Sequence, residues 1–150
     1  MSTNRRAVGA LVIALAACTG GDGATGPRNL TVDGGWNGSA TNVSGSGVTC
    51  TLGGLALSLS QTDTTFAGNY TIATLSCTGP GGTAGGGPFA GIVVNGTIKN
   101  GHVTFDLDTS ELHFTGSLNN NAMSGTTVWT LDLGPPTGVV VLTGSWSAAR

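Results

Sequence analysis

Apolar residues fall at every second position through most of this chain. Leu55, Leu57 and Leu59 alternate ahead of Gln61, and Phe66, Gly68, Tyr70 and Ile72 alternate behind it. A period of two marks a half-buried strand. The 3.6-residue period of an amphipathic helix has no room after Cys18, because glycines interrupt every window long enough to hold one. The pattern predicts eight strands, at about residues 35–43, 50–61, 66–77, 90–99, 102–108, 111–118, 123–133 and 139–148.

Turn signals set the pairing. Asp63-Thr64 as a two-residue turn places Leu57 opposite Tyr70, Leu55 opposite Ile72 and Cys50 opposite Cys77. Asn100-Gly101 is the strongest hairpin signal in the chain and sets Ile98 against Val103, Gly96 against Phe105 and Val94 against Leu107. Thr109-Ser110 pairs Phe105 with Phe114 and Leu107 with Leu112, and Asn120-Asn121 pairs Met123 with Leu118, Gly125 with Gly116 and Trp129 with Leu112. Each hairpin keeps its apolar residues on one face, so pattern and turns agree on register.

Glycine belongs to that apolar face. An apolar residue, any residue and then glycine recurs at Trp36-Asn37-Gly38, Phe66-Ala67-Gly68, Phe89-Ala90-Gly91, Val94-Asn95-Gly96, Phe114-Thr115-Gly116, Met123-Ser124-Gly125 and Leu142-Thr143-Gly144. A glycine facing inward lets its strand bend sharply while a ring opposite covers the bared backbone; Gly96 is expected to face Phe105, and Gly144 to face Trp129. Repeated along eight antiparallel strands, that bend closes the sheet. The expected fold is all-β, a single up-and-down barrel, which removes the exposed edges of an open sheet; a β-sandwich is the alternative. Gly35-Trp36-Asn37-Gly38 near the first strand and Gly144-Ser145-Trp146 in the last resemble the opening and closing strands of lipocalin-like, calycin-type barrels. That resemblance implies a barrel but carries no ligand motif with it.

The first seventeen residues stand apart. Arg5 and Arg6 precede an apolar run from Ala7 to Ala17, too short to span a bilayer, which is the order of parts in a secretory signal. It ends in Leu15-Ala16-Ala17-Cys18, which resembles the lipobox of bacterial lipoproteins. The resemblance implies cleavage before Cys18, acylation of its thiol and new amine (palmitate among the acyl groups), and a lipid anchor in the bacterial cell envelope. Two or more acyl chains hold stably where one does not. Thr19 follows the cysteine in place of aspartate, which by enterobacterial sorting implies the outer membrane. The resulting organisation is a signal peptide over 1–17, a lipidated cysteine with a Gly-rich tether over 18–33, and the barrel over 34–150.

Composition then narrows the function. The whole chain has a net charge of −2, and losing Arg5 and Arg6 with the signal takes it to −4. No basic patch exists to hold nucleic acid. With Cys18 acylated, Cys50 and Cys77 are the remaining thiols, and in an oxidising compartment they form one disulfide. Strict alternation would turn both away from the leucine face, so a bulge at Gly53-Gly54 is expected to reset the phase.

Candidate chemistry is sparse. Asp106, Asp108, Glu111 and His113 form the densest polar group, with His113 across from Asp106, but alternation puts all four on the outer face as a solvated hairpin surface. His102 flanks a turn. No nucleophile elbow is present, and the run from Gly79 to Gly87 lacks the lysine and helix of a phosphate loop, leaving it a flexible connection. No catalytic residue, metal site or cofactor is expected. Trp36, Tyr70, Phe105, Phe114, Trp129 and Trp146 are the candidate ligand contacts, facing an interior where glycine leaves volume unfilled; for the three tryptophans, structural rings that fill that interior are the commoner role. Two readings follow: non-catalytic binding of a small apolar ligand inside the barrel, or a solid barrel that engages an envelope protein or inhibits an exported enzyme through its loops. Either way a monomer is expected. The longest loops, 43–49, 78–89 and 134–138, would share the end opposite the tether.

Overall fold

The computed structural model describes residues 30–108, 111–132 and 138–150. The leader, Cys18 and most of the tether lie outside them, as do Thr109, Ser110 and most of the 134–138 loop. The described residues form nine strands: β1 (Gly34–Gly45), β2 (Val48–Thr62), β3 (Thr65–Gly79), β4 (Gly82–Gly86), β5 (Phe89–Lys99), β6 (His102–Leu107), β7 (Leu112–Asn119), β8 (Ala122–Asp132) and β9 (Val139–Ala149).

All pairings are antiparallel. Following the hydrogen bonds gives the order β2, β1, β9, β8, β7, β6, β5, β3, and β3 returns to β2, so eight strands close into an up-and-down barrel with β4 added to β3. The two-residue turns that make this possible carry positive φ where hairpin twist demands it: Asp63 at 54°, Asn100 at 52° with Gly101 at 77°, and Asn120 at 55°. Ser46 and Gly47 do the same between β1 and β2, at 51° and 78°.

The register agrees with the sequence pattern through most of the barrel. Leu57 pairs with Tyr70, Leu55 with Ile72 and Cys50 with Cys77. Phe105 pairs with Phe114, Leu107 with Leu112 and Asp106 with His113. Met123 pairs with Leu118, Gly125 with Gly116 and Trp129 with Leu112. The bulge expected at Gly53-Gly54 is present: between Gly38↔Leu55 and Ala40↔Leu52, β2 advances three residues while β1 advances two. Gly54 has φ of 63°, and both Leu52 and Leu55 point inward across it, which turns Cys50 to the buried side as well. The two sulfurs are 2.07 Å apart, a bonded distance.

Several expectations fail. Val94 pairs with Asp106 in place of Leu107, because Asn95, with φ of 55°, bulges out and shifts β5 by one residue; Val93 takes the buried place. Gly144 pairs with Thr127, leaving Trp129 opposite Leu142. The run 79–87 is no flexible connection. Pro80-Gly81 makes a turn, β4 folds back on β3 from Gly79↔Gly82 to Leu75↔Gly86, and β5 continues the same register from Ile72↔Phe89. Gly87-Pro88 only interrupts what is otherwise one strand, since proline has no N–H for the ladder. The supposed loop at 43–49 likewise shrinks to the Ser46-Gly47 turn. Closure also leaves an edge: β6 ends at Leu107, paired with Val93, so β4 and the start of β5 project beyond it as a free margin.

Inward glycines are close-approach positions. A Cβ added to Gly125 would lie 2.0 Å from the Thr115 carbonyl oxygen, and one on Gly116 would lie 2.4 Å from the Ser124 oxygen and 3.0 Å from the Trp146 ring. Gly96 does pack under an aromatic ring, but it is Phe66 on its other neighbour, 2.5 Å from where the Cβ would be.

Candidate functional site

The middle of the barrel is filled by rings. Phe105 and Phe114 stack with centroids 4.8 Å apart. Trp146 stands edge-on to both, at 5.3 and 5.4 Å, and Phe66 meets Phe105 at 5.9 Å. The Trp146 indole N–H donates to the Thr115 carbonyl at 3.1 Å, which satisfies the one polar group in the cluster. Three of the six candidate contacts, Phe105, Phe114 and Trp146, are thus packing residues.

Trp36 closes the end at which the chain enters. It is buried, its indole N–H donates to the Val32 carbonyl at 2.7 Å, and the Arg150 guanidinium lies over its ring at 4.5 Å. Val32 is itself fully buried and its N–H donates to Gln61 Oε1 at 2.8 Å, so the last residues ahead of β1 form a plug. Arg150 donates to the carbonyls of Asp33 (2.6 Å) and Thr31 (3.0 Å), which ties the end of the chain to that plug.

Tyr70 and Trp129 sit at the opposite mouth. There a cavity of about 250 Å³ is lined by Leu52, Tyr70, Ile72, Leu75, Phe89, Leu107, Asp108, Glu111, Leu112 and Trp129. It is an open cup, smaller than the roughly 300–1,000 Å³ of most ligand pockets. Its apolar walls come from the inward positions of β2, β3, β6, β7 and β8. Phe89, Asp108 and Glu111 complete it, and the sequence pattern alone does not select them: Phe89 belongs to a segment read as loop, and both acids to a face read as outer.

Asp108 explains its own displacement. With φ of 55° it leaves the β6 ladder and curls toward β5, where its N–H donates to the Ile92 carbonyl at 2.8 Å and its Oδ1 accepts from the Ile92 N–H at 3.0 Å. Gly91 permits this, because a Cβ there would lie 2.0 Å from Oδ1. The other oxygen accepts the Tyr70 hydroxyl. Burial, then the hydrogen bond and charge of Asp108, push the Tyr70 pKa from 10.0 up to about 12, so the phenol stays protonated as a donor.

Asp106 also departs from expectation. It lies on the outer side of the sheet yet is only 7% exposed, enclosed by the Asn95 bulge and by His113. Asn95 Nδ2 donates to its Oδ2 at 2.8 Å, and its Oδ1 meets His113 Nδ1. His113 Nε2 reaches the Thr115 hydroxyl at 3.2 Å. This chain of polar side chains satisfies a carboxylate that the bulge has taken out of water. His102 is exposed beside its turn. Among the described residues, no three metal-ligating side chains converge.

The architecture defines a closed eight-stranded antiparallel barrel with a packed waist, a plugged end and a cupped end. The chain has no matching family model, no matching curated protein and no matching solved structure.

Proposed function

We propose that this protein is a lipid-anchored, non-catalytic binding protein of the bacterial cell envelope, built on a lipocalin-like barrel that receives a small apolar ligand at its mouth. The observation that carries the reading is the cup, whose largely apolar walls lie at the end opposite Trp36. The filled waist sets the mode of binding. A ligand would be held by its end and would not be swallowed whole. The anchor rests on the lipobox resemblance of Leu15-Ala16-Ala17-Cys18, with the outer membrane as its expected destination.

Binding is tested by titrating small aromatic and aliphatic compounds while following tryptophan fluorescence, with Trp129→Ala expected to abolish the response. Saturable binding that survives Trp129→Ala would remove the mouth from consideration. Cys18→Ser is expected to release the protein from membranes and to end palmitate incorporation; labelling that persists would refute the anchor.

The packed waist and four exposed apolar side chains, Phe89, Ile92, Val139 and Val141, support a second reading in which the barrel is a scaffold for an envelope protein or exported enzyme. Crosslinking from position 92 in intact cells distinguishes it: one saturable protein adduct supports the scaffold, and none removes it.

A further inference from the structure

From the composition of the cup we infer that its ligand is a small organic cation, an alkylated ammonium group carried on a short apolar body. The inference rests on the mouth-binding reading and specifies the ligand's chemical class.

Three aromatic side chains, Tyr70, Phe89 and Trp129, line the same small cavity as two carboxylates, Asp108 and Glu111. An aromatic face attracts a cation through its quadrupole, and recognition of quaternary ammonium groups commonly uses several rings around one charge. A neutral apolar ligand would need the rings but would gain nothing from the carboxylates. An anionic one would be repelled by them.

Among the described residues, no lysine, arginine or histidine lines the cup to offset the two carboxylates. The described cations Lys99 and Arg150 belong to the plugged end, Lys99 beside the Asn100-Gly101 turn and Arg150 over Trp36. The hydrogen bonds that Asp108 accepts from Tyr70 and from the Ile92 N–H come from neutral groups, so they fix the carboxylate in place and leave its charge intact. Glu111 is exposed at the rim, where a carboxylate can meet a cation on its way in. The size fits as well: a cavity of about 250 Å³ admits a compact head group and excludes a long chain.

Choline and its neutral isostere 3,3-dimethylbutan-1-ol have nearly the same shape and differ in charge. Calorimetric titration of the full chain with each is expected to show choline bound at least about tenfold more tightly, a margin within reach of desolvated cation–aromatic contacts. Glu111→Gln, at an exposed position that leaves the fold alone, is expected to weaken choline several-fold and leave the alcohol unchanged. Raising the salt concentration should weaken choline alone. Equal affinities for the two compounds would overturn the cation inference while leaving the mouth as an apolar site. If neither compound bound while other apolar compounds still quenched Trp129, the cation inference would fall by itself. If no compound quenched Trp129, both readings would fall together.

Discussion

Single atoms decide how closely these strands can approach. At Gly125 a Cβ would stand 2.0 Å from one backbone oxygen and 2.4 Å from the Gly116 Cα, with no flexible side chain able to yield. Gly125→Val is therefore expected to cost roughly 1–3 kcal/mol or more by overpacking, whereas Thr126→Val, one residue along on the outer face, should stay within about 0.5 kcal/mol. Chemical denaturation of both variants checks this, and equal tolerance would mean that the faces are reversed. Tyr70 offers a second test, through pH. Folding raises its pKa from 10.0 to about 12, so on alkalinisation the unfolded chain loses the phenolic proton first. Stability is then full below about pH 10 and drains away between pH 10 and 12. Tyr70→Phe should lower stability at neutral pH by roughly 1–3 kcal/mol, through loss of a hydrogen bond to a charged partner, and should flatten that alkaline decline. Denaturant midpoints measured from pH 7 to 11.5 would show both effects.

Elements were legible in the sequence wherever side-chain period and turn chemistry acted together. The eight barrel strands, the hairpins at Asp63-Thr64, Asn100-Gly101 and Asn120-Asn121, and the cysteine pairing all come from alternation counted outward from a turn. What alternation misses is its own interruption. Asn95 and Asp108 take positive φ inside or at the end of strands: the Asn95 bulge covers Asp106 on the outer face, and Asp108 turns its own carboxylate to the mouth. β4 was hidden for another reason: Gly82–Gly86 has one side chain larger than hydrogen beyond Thr83, so it shows no period to count, and its pairing with β3 is backbone work. The mouth was half legible, with Tyr70 and Trp129 read from the apolar face and Phe89, Asp108 and Glu111 not. The disulfide ties the end of β3 to the start of β2 across a sequence separation of 27 residues. In the chain-entropy account, closing such a loop contributes roughly 3–4 kcal/mol. Reduction is expected to lower the unfolding midpoint and to speed amide exchange at Thr51 and Ser76 more than at Phe105 or Phe114, where the stacked rings are untouched. Non-reducing peptide mapping that found free Cys50 and Cys77 would contradict both the bond and its consequences.

At the scale of the molecule the barrel has two unlike ends. One is sealed by Val32, Trp36 and Arg150; the other bears the cup, the projecting arm and the exposed apolar rim. β1 and β9 are neighbours, with Asn37 opposite Ala149, so the strand that opens the ring lies beside the strand that closes it. Such a ring has no structural beginning. A few residues could join Arg150 to Thr31, whose carbonyl it already touches, and new termini could be cut at Pro80-Gly81, where the chain turns at the far end. The permuted protein should fold to the same barrel, as circular dichroism would show. If the segment proposed to carry the lipid were then attached to its new first residue, the anchor as proposed would turn the cup toward the membrane instead of away from it. A permutant that keeps its fold and its affinity in detergent but loses binding in intact membranes would support the proposed anchor and show that the order in which this chain is threaded serves to aim it.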